Sequence, residues 1–215
     1  MLPNIGKSMN LSQHAYIVIK DAILNNKIKP KEVLSEEALA AILGISRTPL
    51  RTALKMLEFE KLIFINSAKN AIVADVAKED MEKVFVVRIA LEPVAVKIAC
   101  MKMDEIKVAK LEEIVKQQAT AIESNEFVKF INSDREFHVL IANYTDNELL
   151  SEMIERISVS VQRFLTLSMT IPVHAHTALQ EHRMIVDALK AKDPDLAETR
   201  MLLHVGDVAN RIYLS

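Results

Sequence analysis

The segment that decides the fold reads Leu34-Ser35-Glu36-Glu37-Ala38-Leu39-Ala40-Ala41-Ile42-Leu43-Gly44-Ile45-Ser46-Arg47-Thr48-Pro49-Leu50-Arg51-Thr52-Ala53-Leu54. Leu39, Ile42 and Leu43 lie three or four residues apart, so they predict one apolar helix face. Gly44 supplies the left-handed or close-packed backbone that ends a helix. The segment therefore predicts a first helix that stops at a tight turn.

A second helix is expected after this turn, with basic residues near its start. Ser46 is a suitable N-cap residue, and Pro49 is tolerated in a first helical turn. Arg47 and Arg51 lie four residues apart and project from one helix face. An arginine there can donate two hydrogen bonds to guanine or bind phosphate, and the hydroxyls of Ser46 and Thr48 can contact the DNA backbone. We interpret the pair of helices as a DNA-binding helix-turn-helix; ordinary solvated charges are the alternative for the arginines.

Two runs of β-branched residues after the second helix predict a β-hairpin. Residues 62–66 and 71–76 have the composition of strands, and the polar segment between them is typical of a turn. A hairpin directly after a recognition helix is a wing, and Lys69 and Asn70 near its tip are candidate DNA contacts. Residues 8–76 are therefore predicted to form a winged helix-turn-helix domain.

The rest of the chain has a helical period throughout. Residues 79–213 are predicted to form an all-α bundle of six to seven helices, and the protein is expected to be mainly α. The predicted helices lie near residues 79–102, 104–123, 126–143, 147–170, 173–191 and 194–213.

The distribution of charge separates the two parts of the chain. The formal net charge is −2, but residues 1–76 carry 10 basic and 7 acidic residues, against 17 and 22 in the remainder. A basic first domain on an acidic body favours DNA binding by the first domain alone. No apolar run approaches the roughly 18 residues of a membrane span, no signal-peptide pattern opens the chain, and the single cysteine suits a reducing compartment. We therefore expect a cytoplasmic protein with no membrane partner.

Four residues of the helical part form a candidate metal site. Asp134 and His138 lie four residues apart and project from one helix face. His182 and His204 have apolar neighbours at helical spacing, as expected for positions that face the interior of a bundle. A carboxylate and three imidazoles suit Zn²⁺, Ni²⁺ or Mn²⁺ and leave a position for water or a ligand carboxylate. The alternative is that the histidines are structural.

The segment Gly44-Ile45-Ser46-Arg47-Thr48-Pro49-Leu50-Arg51 resembles the DNA-binding signature of bacterial GntR-type transcription regulators. One departure concerns the wing, where family members often carry a glycine near the tip. Asn70 stands at that place here, and asparagine tolerates a left-handed conformation better than most residues.

The helical part resembles the FCD ligand-binding domain of the FadR subfamily, an all-α bundle in which many members hold a metal with one Asp and three His. Asp134, His138, His182 and His204 match that pattern. The resemblance covers roughly residues 11–213.

The same resemblance implies that Arg88 faces a ligand cavity. A guanidinium near a metal suits a small carboxylate effector, and a salt bridge with Glu92 at i+4 is the alternative for this residue. Arg163 and Asn143 are further candidates for the cavity. His174 lies close to a predicted loop and is interpreted as a surface residue.

The function implied by these features is that of a dimeric, ligand-responsive transcription regulator, a repressor rather than an activator, and not an enzyme. Two winged domains would bind the half-sites of a near-palindromic operator. The helical domain would bind a divalent metal, with Zn²⁺ as the first choice, and a small organic acid that modulates operator binding. Two alternatives stay open: the metal is itself the effector, or the three-His/one-Asp site is the centre of a metalloenzyme.

Overall fold

The computed structural model describes residues 10–168 and 170–214, so the predicted start of the first domain at residue 8 lies outside the described part. The chain divides into one unit that ends at Asp75 and a second that begins at Val76. Within the described residues the first unit contains α1 (Leu11–Leu24), β1 (Val33–Leu34), α2 (Glu36–Leu43), α3 (Arg47–Phe59), β2 (Ile63–Ile65) and β3 (Ala71–Val73). The second contains α4 (Lys78–Cys100), α5 (Glu105–Glu123), α6 (Phe127–Asn143), α7 (Glu148–Ser168), α8 (Ile171–Lys190) and α9 (Pro194–Leu214).

Local signals set the ends of the helix-turn-helix. Ser35 caps α2, where its Oγ accepts a hydrogen bond from the backbone N–H of Ala38 at 3.3 Å. Gly44 ends α2 with a left-handed φ of 65°. Leu50 and Leu57 of α3 are fully buried, which anchors this helix in the unit. The predicted helix-turn-helix is confirmed, with one correction: Ile42 is 78% exposed and does not belong to the packed face of α2.

The sheet has one strand more than the sequence predicted. β3 lies between β1 and β2 and pairs with both in antiparallel fashion, with Val33 opposite Ile72 and Phe64 opposite Ile72. At the tip of the β2–β3 hairpin, the left-handed residue is Lys69, with φ 61°, and not Asn70. The backbone N–H of Asn70 instead donates to Oδ1 of Asn66 at 2.9 Å, which closes the turn.

The second unit is a bundle of six helices within the described residues. α4 packs on α9, α7 and α6, and α8 packs on α9 and α5. The core includes Phe85, Leu111, Ile141, Leu189 and Val205, each at most 1% exposed. In the part of the chain that the structure describes, we find no helix both long and apolar enough to span a bilayer.

The start of α8 differs from the helix predicted near residues 173–191. The helix begins at Ile171, and Pro172 occupies its first turn, where a missing N–H costs no helical hydrogen bond. His174 therefore lies on a helix and not beside a loop. Its side chain is half-buried.

Candidate functional site

Three helices bring the predicted metal ligands together. Asp134 and His138 lie on α6, His182 on α8 and His204 on α9, and all four are buried. One ligand atom from each residue lies within 4.8 Å of the others. Nε2 of His204 is 3.3 Å from Nε2 of both other histidines, and Oδ1 of Asp134 is 3.5 Å from Nε2 of His182.

The outer nitrogens of two imidazoles contact side-chain oxygens. Nδ1 of His182 lies 2.8 Å from Oε1 of Gln118, and Nδ1 of His204 lies 2.7 Å from Oε2 of Glu181. An amide or carboxylate oxygen can only accept, so each Nδ1 carries the proton. Each Nε2 then presents a lone pair to the centre of the cluster, which is the arrangement that neutral histidines adopt as metal ligands.

His138 contacts a buried ion pair. Its Nδ1 lies 2.8 Å from Oε2 of Glu92, although the ring N–H is not aligned for a hydrogen bond. Nε of Arg88 donates to Oε1 of the same carboxylate at 2.6 Å, and both side chains are 2% exposed. The salt bridge considered for Arg88 is therefore present. Burial raises the pKa of Glu92, but the charges of Arg88 and His138 outweigh it and bring the pKa to about 2.

The geometry of the cluster fits a divalent ion. Inward lone pairs and a carboxylate oxygen repel one another unless a cation or a proton lies between them. Two nitrogens at about 2.0–2.1 Å from a tetrahedral metal are about 3.3–3.4 Å apart, close to the spacing of the Nε2 atoms. Asp134, His138, His182 and His204 are thus suitable ligands for such an ion.

Burial sets the protonation of the cluster. It lowers the pKa of His182 and His204 well below the usual range, and the neighbouring imidazoles act in the same direction. These rings are therefore neutral near pH 7, the form that binds a metal. Burial also raises the pKa of Asp134, against the charges of His138 and Arg88. A cation in the cluster would favour the ionised carboxylate.

A small cavity adjoins the cluster. It has a volume of about 30 Å³, and its polar lining comes from Arg88, Asp134, His174, Arg211 and the Thr170 hydroxyl. A space of this size holds one or two waters. The lining contains two arginines and one histidine against a single carboxylate, that of Asp134, and this balance favours an anion.

The cavity lining differs from the prediction at several residues. Arg88 lines the cavity, as predicted. Arg163 is buried elsewhere along α7, and Asn143 is exposed at the end of α6. Neither of these two described side chains lines the cavity. The prediction missed His174 and Arg211. Pro172 suits the first turn of a helix, so it was the sequence signal that could have placed His174 on α8.

The candidate DNA contacts lie on the surface of the first unit. Ser46, Arg47, Thr48 and Arg51 at the start of α3 are exposed, as are the wing residues Lys69 and Asn70.

The two arginines pair with the first turn of α2. Nε of Arg51 lies 2.8 Å from Oε2 of Glu36, and the guanidinium of Arg47 lies 3.6 Å from Glu37. Exposed ion pairs contribute about 0–1 kcal/mol, so the arginines can exchange these partners for DNA at little cost.

A winged helix-turn-helix followed by a helical unit with a buried polar site defines a class of DNA-binding regulators. Residues 11–73 match the bacterial regulatory proteins of the gntR family, and residues 83–207 match the FCD domain. The chain belongs to the GntR family of transcription regulators, in the group that carries an FCD domain.

Individual relatives agree with this assignment. The HTH-type transcriptional regulator YdhC of Bacillus subtilis is 28% identical over 190 residues, 88% of this chain and 85% of that protein. The HTH-type transcriptional repressor RspR of Escherichia coli is 26% identical over 208 residues, which cover 97% of this chain and 91% of the RspR chain. The solved structure of E. coli McbR/YncC is similar with a TM-score of 0.86 and 25% identity, covering 96% of this chain and 99% of that one. The matched families are those of transcription regulators, so the protein is a DNA-binding regulator and not an enzyme.

Proposed function

We propose that this regulator is a dimeric repressor whose FCD domain binds a divalent metal and a small organic acid, and that the acid lowers operator affinity. The observation that carries the proposal is the convergence of three imidazole Nε2 atoms and a buried carboxylate beside a cavity with two arginines. The repressor RspR supports the direction of regulation. As a DNA-binding regulator, the protein would work in the cytoplasm.

The metal would be held by Asp134, His138, His182 and His204. Imidazole and carboxylate together suit Zn²⁺ first, with Ni²⁺ or Mn²⁺ as alternatives, since affinity also depends on supply and geometry. A bound ion supplies a positive charge and an open coordination position that attract a carboxylate. A second candidate function, a metal-responsive regulator, uses the same four ligands with the ion as effector.

The organic acid would bind beside Arg88 and Arg211. Bidentate pairing with a guanidinium favours carboxylates over neutral ligands. The cavity of about 30 Å³ is smaller than an acid of three or four carbons requires. Its walls must therefore move when such an acid binds, and this movement is a means of passing the signal onward.

The dimer would form through exposed apolar side chains of α4 and α7, two helices that pack on each other. Val86 and Val94 of α4 are 70% and 46% exposed, and Leu149 and Met153 of α7 are 62% and 46% exposed. Contiguous exposed apolar residues mark interaction surfaces. A symmetric pair of chains matches the two half-sites that helix-turn-helix proteins bind.

On the DNA, Arg47 and Arg51 would contact base edges or phosphates. The hydroxyls of Ser46 and Thr48 would contact the DNA backbone. Lys69 and Asn70 would approach the duplex at the wing tip.

A thermal-shift screen tests the ligand assignment. We expect short carboxylic acids to raise the melting temperature of the Zn²⁺-loaded protein, because a ligand that binds only the folded state stabilises it. Amides of the same acids, which lack the charge, serve as controls. Equal shifts with acids and amides, or no shift with any acid, would contradict an organic-acid effector.

A further inference from the structure

Two arginines line the cavity and also pair with carboxylates that contact metal-ligand histidines. Arg88 donates to Glu92 at 2.6 Å, and Glu92 lies 2.8 Å from Nδ1 of His138. We name these three residues the Arg88 chain. It is buried throughout, so solvent screens its charges little.

The second series of contacts starts from α9. Arg211 donates to Oε1 of Glu181, and Oε2 of the same carboxylate lies 2.7 Å from Nδ1 of His204. We name these three residues the Arg211 chain. Glu181 and Arg211 are half-buried, whereas His204 is 1% exposed. Two of the three histidines are thus linked to the cavity by a carboxylate and an arginine.

Each carboxylate divides its negative charge between a guanidinium and an imidazole. An anion that enters the cavity competes for the guanidinium and weakens its hold on the carboxylate. The carboxylate then interacts more strongly with the imidazole at its Nδ1, through a hydrogen bond in His204 and through charge in His138, which makes the opposite nitrogen a better metal ligand. The anion and the metal therefore favour each other without touching.

Resting on the metal site and the acid effector proposed above, we propose that the Arg88 chain and the Arg211 chain couple anion binding in the cavity to metal affinity. An anion at Arg88 and Arg211 tightens metal binding, and by linkage the metal tightens anion binding by the same factor. Glu92 and Glu181 act as positioning residues in this coupling and do not touch the ion.

Direct ligation is the competing explanation. Asp134 belongs both to the cluster and to the cavity lining, so an anion could reach the metal itself. Direct ligation does not need the charge of Glu181, but the Arg211 chain does. Removing that charge therefore separates the two routes.

The experiment measures Zn²⁺ affinity by competition with a chromophoric chelator, with and without saturating formate at constant ionic strength. Formate is the smallest carboxylate and suits the small cavity. The test variant is Glu181→Gln, which keeps an acceptor oxygen and loses the charge. The control is Glu136→Gln, an exposed carboxylate on α6. Far-UV circular dichroism checks the fold, and Arg211→Gln interrupts the same chain if Glu181→Gln does not fold.

We expect formate to tighten Zn²⁺ binding about fivefold in the wild type and in Glu136→Gln, within the usual range of coupling between sites. In Glu181→Gln one chain remains, so the factor falls to about twofold, half of the coupling free energy. An equal factor in Glu181→Gln and the wild type would show that the Arg211 chain carries none of the coupling and would overturn the inference that both chains carry it. A Zn²⁺ affinity that is the same with and without formate would overturn the coupling but would be compatible with the proposed metal site. A wild type that binds no Zn²⁺ would overturn the proposed function as well.

Discussion

Replacing His204 with alanine should empty the proposed metal site: we expect the metal content of purified protein to fall from about one ion per chain to nearly none. Nε2 of His204 lies 3.3 Å from Nε2 of both His138 and His182, so it is the nitrogen closest to the middle of the cluster. Its loss leaves two imidazoles and one carboxylate, a weaker set of ligands. Elemental analysis after dialysis measures the result.

His176→Ala provides the matched control. This imidazole is exposed on α8, the helix that also carries His182. We expect it to retain the metal, and the melting temperature of both this variant and the wild type to fall when a chelator is added. A metal present at 100 times its dissociation constant stabilises the folded state by about 2.7 kcal/mol. Metal content that is the same in His204→Ala and His176→Ala would remove this residue from the site.

Operator binding should depend strongly on the first turns of α3. We expect Arg47→Ala and Arg51→Ala each to weaken specific binding by about 1–3 kcal/mol, or about 5- to 150-fold, if the guanidinium contacts a base. Fluorescence anisotropy at fixed salt measures the affinity for a duplex selected from random DNA by the wild type. A titration that saturates at two chains per duplex supports the dimer.

The control for this prediction is Lys110→Ala, which removes one exposed cation from α5. The Lys110→Ala variant keeps the first unit intact and should bind the operator duplex with the affinity of the wild type. A scrambled duplex separates the two roles of the arginines, because loss of a phosphate contact weakens binding to both duplexes alike. Wild-type affinity in both arginine variants would contradict the assignment of α3 as the recognition helix.

The helix-turn-helix could be predicted because its signals are local. The left-handed turn at Gly44, the N-cap position of Ser46 and the apolar positions of α3 each depend on a few neighbouring residues, although the Ser46 side chain makes no capping hydrogen bond. The convergence of Asp134 with the three histidines depends instead on packing between α6, α8 and α9. Its prediction came from the family resemblance, because spacing alone did not distinguish ligands from structural histidines.

The features that the sequence did not predict depend on contacts between distant parts of the chain. β1 is two residues long, and its pairing with β3 joins segments almost 40 residues apart. The side chain of Arg211 on α9 contacts Glu181 on α8, 30 residues earlier in the chain, and no local pattern indicates this contact. Lys69 takes the left-handed position of the wing because the hydrogen bonds between Asn66 and Asn70 close the turn around it.

In the function proposed above, a ligand in the helical unit controls DNA binding by the first unit. The most direct test of this control is the operator affinity of the Zn²⁺-loaded protein, at fixed salt, with and without the acid that stabilises it most in the thermal screen. We expect the acid to lower operator affinity by about 5- to 150-fold, and we expect His204→Ala, in which the ion should be lost, not to respond. Operator affinity that is the same with and without the acid would contradict the proposed function.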